Sequence, residues 1–103
     1  MRQATLKKII RDAFPGDLSL SGCIVPGYKI VDGDPTFEWI IRLPFAGVPG
    51  PFDGALAREE SAACWDKVSE TLAARGYSLM IDGNNMAIHS TDPHFLFTDD
   101  GFQ

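Results

Sequence analysis

Three side chains able to hold a metal ion fall close together near the end of this 103-residue sequence: His89, Asp92 and His94. Imidazole nitrogen and carboxylate oxygen are donors that Zn²⁺ or Fe²⁺ accepts, and a site requires them to converge on one point. Short loops carrying several donors commonly scatter them into solvent. Asp92 is followed by Pro93, a turn signal, and no helical HExxH pair accompanies the group. The stretch therefore reads as two surface histidines beside a turn, and neither a metal nor a cofactor is expected.

The remaining reactive candidates are weaker. Cys64 with either histidine would need a setting that stabilises a thiolate, yet its spacing puts it on the apolar stripe of a helix, where a thiol is a small inert hydrophobe. Gly47-Val48-Pro49-Gly50 has no GK[ST] after it, and its proline removes a backbone donor that a phosphate would need. The paired acids Asp32/Asp34 and Asp99/Asp100 sit where aspartate serves turns and chain ends. The expectation is a protein that is not an enzyme. A different chemistry is offered by residues 44–55, a connection with three prolines and three glycines. Phe45, Val48 and Phe52 on this stiffened segment suit preorganised anchors for a partner. The opposing reading has Phe45 and Phe52 tucked under the loop to cap the core. Trp39 and Trp65 are read as core.

The elements that would position these residues follow from periodicity. Leu6, Ile9, Ile10, Ala13 and Phe14 share one face of an amphipathic helix that Pro15-Gly16 ends, with Lys7, Lys8 and Arg11 pointing outward. Residues 23–31 and 36–43 are strand-like, with Phe37, Trp39, Ile41 and Leu43 alternating against Thr36, Glu38, Ile40 and Arg42. Asp32-Gly33-Asp34-Pro35 joins them as a hairpin, and Pro26-Gly27 marks the first strand as an edge or a bulge. Residues 56–75 return to helical spacing, with Ala57, Ser61, Cys64, Trp65, Val68 and Leu72 on one stripe and Gly76 as a left-handed stop. Tyr77, Leu79 and Ile81, a Gly83-Asn84-Asn85 turn and residues 86–89 form a second hairpin, and 94–98 adds a short edge strand. The predicted architecture is one α+β domain over residues 1–103, a two-layer sandwich. Two helices pack on one face of a mainly antiparallel four- to five-stranded sheet, in the order α-β-β-α-β-β.

Nine Lys and Arg against fourteen Asp and Glu give a net charge of −5, which disfavours direct binding to nucleic acid. The polarity is uneven: Arg2, Lys7, Lys8 and Arg11 open the sequence without an acid, whereas residues 76–103 hold Asp82, Asp92, Asp99 and Asp100 and no Lys or Arg. That end suits a basic surface. Two cysteines, no signal peptide and no apolar run of membrane length point to a reduced, cytoplasmic protein. The functional expectation is a small acidic protein that blocks or escorts a protein partner with a basic surface. This is the class that includes immunity proteins and anti-CRISPR proteins. Contact would run through Phe45, Val48 and Phe52 and through Asp82, Asp92, Asp99 and Asp100. The alternatives are a self-associating structural or accessory protein and, behind it, a small metal-dependent enzyme.

Overall fold

The computed structural model describes residues 1–15, 18–43 and 55–98, with backbone only for 55–58. Two helices, α1 (Gln3–Ala13) and α2 (Ala55–Ala74), alternate with four strands, β1 (Ile24–Val31), β2 (Asp34–Ile41), β3 (Leu79–Asp82) and β4 (Asn85–Ser90). The strands form one antiparallel sheet in the order β1-β2-β4-β3. This is the α+β order read from the sequence. Among the described residues, no helix is long and apolar enough to cross a membrane.

Helix α1 ends because of its neighbour: Phe14 precedes Pro15, whose ring disfavours helical geometry, and Phe14 is extended at φ −109° and ψ 144°. Helix α2 ends in a Schellman motif. Gly76 takes φ +86°, its N–H bonds the carbonyl of Ala73, and Tyr77 N–H reaches the carbonyl of Leu72 at 2.9 Å. Both hairpins have two-residue turns whose backbone twist suits antiparallel strands. Asp32 and Gly33 are both left-handed, as a type I′ turn requires, and Gly83 fills the first central position of the second turn.

Pairing places Ile24, Trp39, Ile41, Met86 and Ile88 on one face of the sheet. These side chains join Leu6, Ile9 and Ile10 of α1 and Trp65, Val68 and Leu72 of α2 in a single core. Each such side chain removed from water stabilises the fold by about 1.5–3 kcal/mol before entropy is counted. Trp39 and Trp65 are both core residues, as expected, and the Phe14 and Trp65 rings meet edge to face at 5.1 Å. Trp39 also donates its indole N–H to the carbonyl of Met1 at 2.6 Å, and the amino group of Met1 bonds the carbonyl of Phe95.

One predicted element is different. Residues 94–98 are not a fifth strand but part of a helical turn, with Phe97 and Thr98 N–H groups bonded to the carbonyl of His94. The cause is local: Asp92 accepts the His94 N–H on its side chain at 2.9 Å, and Pro93 fixes the turn's first residue.

Candidate functional site

The histidines do not converge. His89 lies on β4 and points to the sheet face away from the helices, opposite Glu38. His94 is exposed on the turn after β4, and Asp92 is engaged there as its local acceptor. Among the described residues, no three His, Cys, Asp or Glu side chains come together as ligands for a cation.

What His89 does meet is a carboxylate. Glu38 is only 5% exposed, and its Oε2 lies 2.7 Å from His89 Nε2 and 3.5 Å from Lys29 Nζ. The imidazole contact is close but lacks the alignment of a hydrogen bond, and among the described residues neither atom has another hydrogen-bond partner. The two form an ion pair only when His89 is protonated. Gly27 stands directly across from Glu38 on β1, and a Cβ there would come within 2.9 Å of Glu38 Cγ and Oε1. The missing side chain at position 27 is what lets Glu38 lie flat on the sheet.

The other expected contact residues divide. Phe45, Val48, Phe52, Asp99 and Asp100 lie outside the described residues. Asp82 precedes β4 and Asp92 follows it, so these two stand at opposite ends of a strand about 17 Å long. Cys23 and Cys64 are free thiols and half-buried.

A surface that sequence reasoning passed over lies along β1. This strand is an edge, as Pro26 suggested, and its register with β2 continues without a bulge. Arg42 N–H bonds the carbonyl of Cys23, which fixes the phase of the ladder. Cys23, Val25, Gly27, Lys29 and Val31 bond inward to β2, while Pro26, Tyr28 and Ile30 turn their backbone groups outward. Pro26 therefore sits where its missing N–H removes no ladder bond. The outward carbonyl of Ile24 accepts the Gln3 side-chain amide at 2.7 Å. From Pro26 to Ile30 the outward groups have no partner among the described residues.

The same positions carry exposed apolar side chains. Tyr28 is 59% exposed and Ile30 66%, and Phe97 of the turn after β4 is 68% exposed. Pro26, Gly27, Tyr28, Phe37, Leu96 and Phe97 line an open groove of about 450 Å³ beside the strand. The Tyr28 and Phe37 rings touch, with centroids 5.4 Å apart. Among the described residues, no helix residue lines it; β2 meets β4 only from Phe37 onward, so the turn end of the hairpin runs on as a two-stranded ribbon. The alternation of Pro26, Tyr28 and Ile30 was visible in the sequence, but it does not tell a covered face from a bare one. No protein-family model, curated protein or solved structure matches this chain.

Proposed function

We propose that this protein works by covering a protein partner, as a blocker or escort, and that the β1 edge with its groove is the surface it presents. The observation that carries this reading is the coincidence of unpaired strand groups with the exposed side chains of Tyr28, Ile30 and Phe97. An open strand edge supplies backbone hydrogen bonds to an incoming extended segment, and an adjoining apolar groove supplies affinity and selectivity for its side chains. Either feature alone is ordinary on a small protein; together they amount to an interaction surface. The net charge of −5 favours a basic partner and speeds its approach. The two free thiols suit the reducing cytoplasm as the place of action.

The test is affinity capture from the native host with the wild type and with Tyr28→Ser. A partner held in stoichiometric amount by the wild type, and lost from a variant with an unchanged melting curve, is the expected outcome. Equal capture by both proteins would remove the edge from the reading.

A further inference from the structure

We infer that a second copy of this chain takes the same edge, joining two sheets through antiparallel β1 strands into one of eight strands. The inference rests on the reading of β1 as a docking edge and commits to a second copy as its occupant, one that competes with the blocked partner for the same backbone groups.

The backbone restricts how two such edges can pair. A two-fold axis centred on Lys29 would set Lys29 directly against its own copy, a like-charge contact on a closely spaced pair. Centring on Gly27 would set Ile30 against Ile24, whose carbonyl already holds Gln3. Centring on Tyr28 avoids both. Tyr28 then exchanges two hydrogen bonds with Tyr28 of the other copy, and each Ile30 N–H reaches the Pro26 carbonyl across the axis. The proline's missing donor costs only one bond at each end. Lys29 falls opposite Gly27, beyond which lies the buried carboxylate of Glu38.

Local charge at the two ends of the edge supports the same arrangement and offsets the repulsion between two chains of net −5. The Ile24 end of the edge lies against the start of α1, which has Arg2 at its N-cap, no side-chain cap and no acid in its first turn. The opposite end is the Asp32-Gly33-Asp34 turn, with both aspartates exposed. Antiparallel pairing brings the acidic turn of each copy to the electropositive helix start of the other. Tyr28 and Ile30 lose their exposure against the partner's Tyr28 and Pro26.

Sedimentation of the full chain from about 1 µM to about 1 mM should show the apparent mass doubling. Over the same range, exchange of the Tyr28 and Ile30 amide protons should slow in step with the dimer fraction. Ile30→Lys should weaken association by about tenfold or more. Ile81→Lys, on an equally exposed apolar residue of the opposite edge strand β3 (63% exposed), should leave association unchanged. A wild type that stays monomeric, a dimer indifferent to Ile30→Lys, or amides whose exchange ignores concentration would each overturn the inference. A monomeric wild type whose partner capture is still lost in Ile30→Lys would leave the proposed function standing without it. If Ile30→Lys alters neither property, both fail.

Discussion

At Gly27 an added side chain would meet its cross-strand neighbours. Gly27→Ala would put a methyl 2.9 Å from Glu38 Cγ and Oε1 and 3.1 Å from Ile40 Cδ1, on the sheet face away from the helices, so these side chains must shift. Overpacking of this kind costs about 1–3 kcal/mol, so the urea midpoint should fall with an unchanged slope. Trp39 offers the converse case. Trp39→Phe keeps the ring in the core but deletes a buried hydrogen bond, the one the indole N–H makes to the Met1 carbonyl. A loss of about 1–3 kcal/mol is expected, read by chemical denaturation. Neither contact was legible from spacing alone. Glu38 alternates with Trp39 in the sequence as a solvent-side residue should, and its burial arises across strands, with Gly27 of the adjoining β1 on one side and His89 of the distant β4 on the other.

At the level of elements, the sequence spoke clearly wherever the signal was local. Helical spacing placed Ser61, Trp65, Val68 and Leu72 on the buried side of α2 and Glu59, Glu60, Asp66, Lys67 and Glu70 on the exposed side. Gly76 closed that helix as a left-handed residue. The Asp32-Gly33 pair made a hairpin because both residues accept the left-handed geometry that a type I′ turn needs. Gly33 at φ +84° has nothing within 4 Å of the place an added methyl would take, so Gly33→Ala meets no clash and costs backbone energy alone. About 1–2 kcal/mol should be lost in thermal melts, and Gly33→Asn should recover part of it. The sequence misled where two signals competed. Residues 94–98 hold a short apolar, aromatic run that suits an edge strand, yet the Asp92 side chain and Pro93 start a turn there. It was silent on the β1 groove, because the pattern of a strand does not reveal where its covering helices stop.

For the molecule as a whole, one core draws on both helices and on the central strands, and it contains both tryptophans. Unfolding should therefore be a single transition, with tryptophan emission and far-ultraviolet circular dichroism following the same curve. Leu72→Ala, at a fully buried position, should shift both by the same amount, about 2–5 kcal/mol, out of a total that for a small domain is about 5–15 kcal/mol. The radius of gyration of 13.5 Å is close to the roughly 13 Å of a folded chain of this length, although the long dimension reaches 40 Å against 25 and 24 Å. The bond from Gln3 to the Ile24 carbonyl has one more consequence. It caps the exposed rung of β1 at its amino-terminal end, while the far edge of the sheet is the four-residue β3. Strand addition is thus held to the stretch from Pro26 to Ile30 at one border and to four residues at the other, so a growing fibre would find only short runs of backbone bonds.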